Sequence, residues 1–377
     1  MRRSSIVWAV GAALLSSLVL LGCAPETAIE SLLVLEDVEA GERPSLLKRW
    51  TATPERRAVA YEVDGRARRG DLYQPADAAR AALVLVPGAA REGRDDPRLV
   101  ALATTFARVG YIVLVPDIAS LRRLQIRAGD ADEIADAIRF VSEGPGRDRP
   151  AGIAAISYAV GPAIIALSRP LLRERVAFVL GVGGYYDTMA MLTYMTTGAY
   201  RLPGEAGWRR QTPNAYGKWV FMSSNADRIG DPGDRARLAA IASRRIENET
   251  ADVSDLLAAM GREGRAVYDL ASNTDPERVE SLVAALPEAI REEVEALSLA
   301  GIDLSGITSR VVLLHGRNDR IIPYSESHAL AAAFPHARVD VFVIGDLQHV
   351  DLGPTGWLDA IRLWRAIYLV LMERAPS

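Results

Sequence analysis

The sequence contains very little cysteine and histidine. A single cysteine, Cys23, occurs in 377 residues, so no disulfide can form within the chain and no group of thiolates can bind a metal. Histidine occurs four times, as His315, His328, His336 and His349, which limits the candidates for a reaction that needs an imidazole. These shortages exclude the disulfide-stabilised and cysteine–metal classes of protein.

The sequence also lacks a basic patch. Its formal net charge is −4 and its lysines and arginines are scattered, whereas a nucleic-acid partner would require a basic face. The glycine-rich run at 181–184 has neither the spacing nor the lysine of a phosphate-binding loop. A hydrophobic content of 49% with 24% charged residues is typical of a globular chain with a substantial core. We therefore expect no nucleic-acid partner, no metal and no organic cofactor.

The first 22 residues form a segment of their own. Arg2 and Arg3 precede an apolar run over residues 6–21, which ends at Gly22 and Cys23. A basic start, an apolar centre and a small residue before a cleavage point indicate a secretory signal. The ending Leu-Leu-Gly-Cys resembles the bacterial lipoprotein signal, which implies lipid on Cys23 and attachment to a cell-envelope membrane on its exported side. The alternative is an uncleaved anchor, for which about 16 apolar residues are few.

Strand and helix patterns divide the rest of the chain. We expect a tether and N-terminal segment over residues 23–55, an alternating strand–helix core over 56–187 and 308–377, and a helical insertion over 188–307. Continuously apolar strands that alternate with helices predict an α/β fold with a doubly wound, mostly parallel sheet.

The stretch GIAAISYAVGP places Ser157 between a predicted strand and a predicted helix. The nucleophile of many hydrolases stands on such a corner, in the pattern Gly-x-Ser-x-Gly. Here the glycines are replaced by Ala155 and Ala159, which keep the neighbouring side chains small, but this pattern alone is weak. A proline at position 162 is unfavourable inside a helix, so we expect the helix to begin near Val160.

A hairpin, parallel strands, this serine corner and a late aspartate and histidine together resemble the α/β-hydrolase superfamily, with the insertion in the place of its lid. The resemblance implies a triad in the chain order Ser, Asp, His. It assigns Ser157 as the nucleophile and Asp319, in LLHGRND, as the acid, with Asp187 as the alternative acid. It implies an oxyanion hole formed by the backbone N–H groups of Tyr158 and Ala89.

The position of each histidine selects the base. His315 lies within the acid loop, where a histidine is usually structural, and His328 lies on a predicted helix. His336 lies at the wrong end of the last strand. His349 follows that strand, on the carboxyl edge of the sheet where catalytic groups of open α/β sheets gather.

The function expected from these residues is that of a membrane-tethered serine hydrolase that cleaves carboxylic esters through an acyl-serine intermediate. One alternative is a noncatalytic lipoprotein that uses the same scaffold for binding. The other is an acyltransferase with the same triad. The insertion contains aromatic residues that would form an acyl pocket or, for most of them, pack within the insertion itself; they are Tyr194, Tyr200, Trp208, Tyr216 and Trp219.

Overall fold

The computed structural model of the protein describes residues 24–345, 347–348, 351–352 and 356–375. Cys23 and His349 lie outside the described residues. The strands are β1 (Glu55–Val63), β2 (Arg66–Gln74), β3 (Ala81–Val86), β4 (Tyr111–Pro116), β5 (Ala151–Ile156), β6 (Val176–Val182), β7 (Ala199–Tyr200), β8 (Arg209–Arg210), β9 (Arg310–Gly316), β10 (Arg338–Ile344), β11 (Leu347–Gln348) and β12 (Asp351–Leu352). The helices are α1 (Pro25–Ala40), α2 (Leu46–Trp50), α3 (Pro97–Arg108), α4 (Ala119–Arg122), α5 (Asp130–Glu143), α6 (Val160–Leu167), α7 (Pro170–Arg173), α8 (Thr188–Thr197), α9 (Tyr216–Asn225), α10 (Pro232–Glu247), α11 (Ser254–Ala258), α12 (Arg262–Ala271), α13 (Val279–Ala284), α14 (Glu288–Leu297), α15 (Ser325–Ala332) and α16 (Trp357–Leu371).

Within these described residues, eight strands form the main sheet, in the order β1-β2-β4-β3-β5-β6-β9-β10. The hairpin β1–β2 is antiparallel, and β2 is antiparallel to β4. From β4 to β10 every neighbouring pair is parallel. Strands such as β3 and β4 are buried along their whole length, because helices cover both faces of a parallel sheet. The predicted doubly wound α/β fold is confirmed.

Two apolar clusters lie on the two faces of the sheet. One contains side chains of α5 and α6, and the other contains side chains of α3 and α16. Since strands β5, β6 and β9 are fixed between these layers, the loops that follow them are held at one edge of the sheet.

The segment before the sheet is folded onto the core from Pro25 onward. Helix α1 packs against α16 and α3, and the indole of Trp364 donates to the carbonyl of Ala28 over 3.1 Å. The buried Asp37 carboxylate accepts from the Thr105 hydroxyl. In the part of the chain that the structure describes, no helix has the length and apolar character to cross a bilayer.

The helices α8–α14 lie between β6 and β9 and have an apolar core of their own. The two ends of this insertion are joined, since Leu299 N–H donates to the carbonyl of Tyr186 over 2.9 Å. The Thr188 hydroxyl also donates to the carbonyl of Val294 over 2.9 Å. The insertion therefore leaves and rejoins the sheet at one place.

Candidate active site

Ser157 occupies a strained corner between β5 and α6. Its φ is +58°, in the left-handed region that costs an L-residue about 1–2 kcal/mol. One turn of 3₁₀ helix, Ser157–Ala159, joins the strand to α6, which begins at Val160. The predicted helix start near Val160 is confirmed. A side chain held in this way at a strand end is the geometry of a nucleophile elbow.

The residues around the corner are small because neighbouring groups approach them closely. Ala155 and Ala159 are both fully buried. A methyl group on Gly161 would lie 2.2 Å from the Tyr185 hydroxyl oxygen, so that position requires glycine. Pro162 is tolerated because it is the third residue of α6, where the backbone N–H has no partner within the helix.

Asp319 lies at the same edge of the sheet as Ser157. It follows β9, and β6 is the one strand between β5 and β9, so the ends of β5 and β9 are about 10 Å apart. The carboxylate is buried, and one oxygen accepts from the N–H groups of Ile321 and Ile322 at 2.8 and 3.0 Å. Two backbone donors thus hold the carboxylate of Asp319 in a fixed orientation.

His315 lies on β9, one residue before the end of the strand, and not in the loop that contains Asp319. It is fully buried, with Nδ1 2.7 Å from the Ser327 hydroxyl and Nε2 2.9 Å from the carbonyl of Ile322. A carbonyl can only accept, so Nε2 carries a hydrogen and donates to the carbonyl of Ile322. The Asp319 carboxylate lies 3.4 Å from Nε2.

The other candidate residues from the sequence are His328, His336 and Asp187, and each lies in a different environment. His328 packs edge-on against Tyr324, with ring centres 5.9 Å apart, and burial lowers the pKa of His328. His336 is exposed. Asp187 caps helix α8, where its carboxylate accepts from Met189 N–H at 2.9 Å. The structure thus gives Asp187 a structural partner.

The loop after β3 lies against the serine, as an oxyanion hole requires. A methyl group on Gly88 would be 3.3 Å from the Ser157 Cβ, so this loop approaches the corner without a side chain. Ala89 follows Gly88 directly, and Tyr158 follows Ser157. Burial raises the pKa of the Tyr158 phenol, and the Asp319 carboxylate raises it further.

The insertion donates hydrogen bonds to the backbone of the loop that contains Asp319. The Tyr194 hydroxyl donates to the carbonyl of Asp319 over 2.7 Å, and the Gln211 side-chain amide donates to the same carbonyl over 3.3 Å. Asn214 N–H donates to the carbonyl of Arg320 over 2.6 Å. Sequence analysis named Tyr194 only as an aromatic residue of the insertion and did not name Gln211 or Asn214, because nothing local in the sequence indicates a contact across more than a hundred residues.

A buried carboxyl group, Glu326, lies where the insertion begins. It accepts from the N–H groups of Tyr186 and Asp187 at 2.9 and 2.8 Å. Burial raises the pKa of Glu326 to about 7, although the two N–H groups act in the opposite direction. This residue was also missed by sequence reasoning.

An apolar cavity of about 50 Å³ lies between the serine corner and the insertion. Tyr158 and Tyr185 contribute its core side, and α8, α9 and α14 contribute the other side. Of the five aromatic residues considered above, all of them described, Trp219 alone belongs to the insertion's core cluster. Tyr194 and Trp208 also contact other residues of the insertion, Tyr194 edge-on against Tyr200 and Trp208 on Arg201 at 3.5 Å, and Tyr194 in addition donates to the carbonyl of Asp319.

Among the described residues, no group of three or more His, Cys, Asp or Glu side chains is placed to hold a metal ion.

Comparison with solved structures identifies the fold. A hydrolase from Legionella pneumophila superposes with a TM-score of 0.55 at 12% sequence identity, covering 90% of this chain and 93% of that one. Because the match spans nearly the whole of both chains, this protein has the α/β-hydrolase fold. No family model and no curated protein sequence matches the chain.

Other similar structures match less well. Acylaminoacyl peptidase from Pyrococcus horikoshii gives a TM-score of 0.48 at 13% identity, over 87% of this chain and 42% of that one. This chain therefore spans less than half the length of the peptidase. Dienelactone hydrolase from Anabaena variabilis gives a TM-score of 0.44 at 14% identity, over 85% of this chain and 98% of that one.

Proposed function

We propose that the protein is a membrane-tethered serine hydrolase that cleaves carboxylic esters, with Ser157, Asp319 and His349 as its triad. The observation that carries the proposal is the positive φ of Ser157 at the corner between β5 and α6. A positive φ is uncommon for residues other than glycine, and at a strand-to-helix corner it is the conformation that presents the side chain of a nucleophile. The α/β-hydrolase fold, with Asp319 at the same sheet edge, supports the same conclusion.

The proposed reaction proceeds in two steps. The Ser157 hydroxyl oxygen attacks the ester carbonyl while His349 takes its proton, and this proton passes to the departing alcohol as the carbon–oxygen bond breaks. The N–H groups of Tyr158 and Ala89 stabilise the oxyanion, and Asp319 stabilises the imidazolium. Water then attacks the acyl-serine, His349 accepts the water's proton, and the acid is released as Ser157 is reprotonated.

The test is hydrolysis of nitrophenyl esters by the full-length protein in detergent. Ser157→Ala and His349→Ala should each lower kcat by at least a thousandfold, and a fluorophosphonate should label the parent but not Ser157→Ala. The exposed His336→Ala is the matched control and should retain full activity. Hydrolysis that survives in Ser157→Ala would refute the triad.

The same experiment separates the alternatives. A parent that neither turns over esters nor reacts with the fluorophosphonate would favour the noncatalytic lipoprotein. New esters formed on addition of short alcohols, at the expense of free acid, would identify an acyltransferase. Amide substrates of the same acyl groups test peptidase activity.

Attachment to the membrane is proposed through lipid on Cys23. Cells expressing the protein should incorporate labelled palmitate into it, and Cys23→Ser should abolish the incorporation. A Cys23→Ser protein that still carries the label would contradict the assignment.

A further inference from the structure

We infer that the cavity beside the serine corner is the binding site for the acyl group and that it limits substrates to short, uncharged acyl chains of about four carbons or fewer. The inference rests on the proposed ester hydrolysis and specifies its substrate. It is carried by the cavity's position, its size and the chemistry of its lining.

The cavity lies next to the serine corner, although neither Ser157 nor Asp319 is itself among its lining residues. Tyr158, the residue after Ser157, forms part of its wall. Tyr185 and Met191, which also line it, pack in one cluster with Ile322, whose N–H holds the Asp319 carboxylate. An acyl group on Ser157 therefore has this cavity beside it.

The size of the cavity limits the chain. Its volume is about 50 Å³, and one water-sized group requires about 10–15 Å³, so the cavity holds about three to five such groups. Residues of the insertion pack closely around it: a methyl group on Gly217 would lie 3.4 Å from Met195 Cγ and 4.0 Å from the Tyr158 hydroxyl oxygen. A longer acyl chain must displace these side chains.

The lining selects an apolar chain. Its polar members make hydrogen bonds within the protein: Ser224 donates to the carbonyl of Phe221, and Thr188 donates to the carbonyl of Val294. The Glu293 carboxylate accepts from Ala128 N–H and pairs with Arg228. Beside the Tyr158 phenol, the cavity thus offers methionine, leucine, valine and other aromatic surface to a ligand.

The experiment measures kcat/KM for nitrophenyl acetate, butanoate, hexanoate and octanoate with the full-length protein in detergent. The parent should prefer acetate or butanoate and lose about tenfold or more by octanoate. Met195→Ala and, independently, Met191→Ala widen the cavity and should move the optimum toward hexanoate. Gly217→Ala narrows the cavity and should lower kcat/KM for the butanoate ester relative to kcat/KM for the acetate ester.

The matched control is Met222→Ala. Met222 is fully buried on α9, within the insertion's core cluster and outside the cavity lining. The dependence of kcat/KM on acyl chain length in Met222→Ala should equal that of the parent, even if the variant is less stable.

Several results would overturn the inference. One is a parent protein whose kcat/KM is highest with octanoate. Another is a dependence of kcat/KM on chain length that stays unchanged in both methionine variants while the fluorophosphonate still labels Ser157. The methionine variants could instead change kcat/KM only among acetate esters of different alcohols. That result would place the leaving group in the cavity and refute the acyl assignment. Absence of both turnover and labelling would instead refute the proposed function, and the inference with it.

Discussion

Replacing Ser157 with glycine should stabilise the fold more than replacing it with alanine, although both replacements should abolish hydrolysis. The φ of +58° at this position lies where an L-residue is strained by contact between its Cβ and the following carbonyl. Alanine keeps that Cβ and glycine removes it. The comparison thus measures the strain stored at the proposed nucleophile.

The magnitude follows from two opposing effects. Removing the Cβ relieves about 1–2 kcal/mol, while the greater freedom of glycine in the unfolded chain costs about 0.5–1 kcal/mol. Ser157→Gly should therefore exceed Ser157→Ala by about 0.5–1 kcal/mol in free energy of unfolding. Ser168, which ends α6 with φ −63°, is the matched site, and there glycine should be the less stable variant by about 0.5–1 kcal/mol.

The assay is urea unfolding of the four variants of the protein lacking residues 1–23, followed by tryptophan fluorescence. The difference between glycine and alanine at 157, minus the same difference at 168, isolates the strain at about 1–2 kcal/mol. A result near zero would show that Ser157 is not strained, and the main support for the proposed function would be lost.

Two further predictions concern Glu326 and Tyr194, whose hydrogen-bond partners the sequence did not indicate. Because burial raises the pKa of Glu326 from 4.5 to about 7, the folded protein binds this proton more tightly, so the group's stability contribution is full below pH 4.5 and declines as pH rises to about 7. Glu326→Gln should remove that decline, and urea unfolding at pH 5 and pH 8 checks it; an equal decline in both proteins would contradict the assignment. Tyr194→Phe removes the hydroxyl that donates to the carbonyl of Asp319, worth about 0.5–1.5 kcal/mol, so kcat should fall roughly 2–10-fold with KM little changed. Steady-state kinetics on nitrophenyl butanoate tests this, and a raised KM with unchanged kcat would count against it.

Much of the fold could be predicted because it is encoded locally. The run AALVLV became β3, buried at all positions, since a strand covered on both faces requires an apolar side chain at every residue. Asp64 and Gly65 became the turn between β1 and β2 with positive φ at both, as the Asp-Gly pair favours. The proline at position 162 correctly indicated a late helix start, because a proline is tolerated in the first turn.

The structure gives the positions of some of the predicted site residues, while all of their functional roles stay predictions. It brings Ser157 and Asp319 to one sheet edge and places Gly88 against the serine. His349 and Cys23 lie outside the described residues, so their roles stay predictions from the sequence.

By itself the sequence determined the order of strands and helices, the strand–serine–helix corner and the place of Asp319 after its strand, because each depends on neighbours along the chain. Only the tertiary structure decided the strain at Ser157, the hydrogen bond of Tyr194 to the Asp319 carbonyl across 125 residues, and the small cavity between the serine corner and the insertion. The physical reason is that these features depend on which distant surfaces pack together, and a residue's local pattern does not record its distant partner.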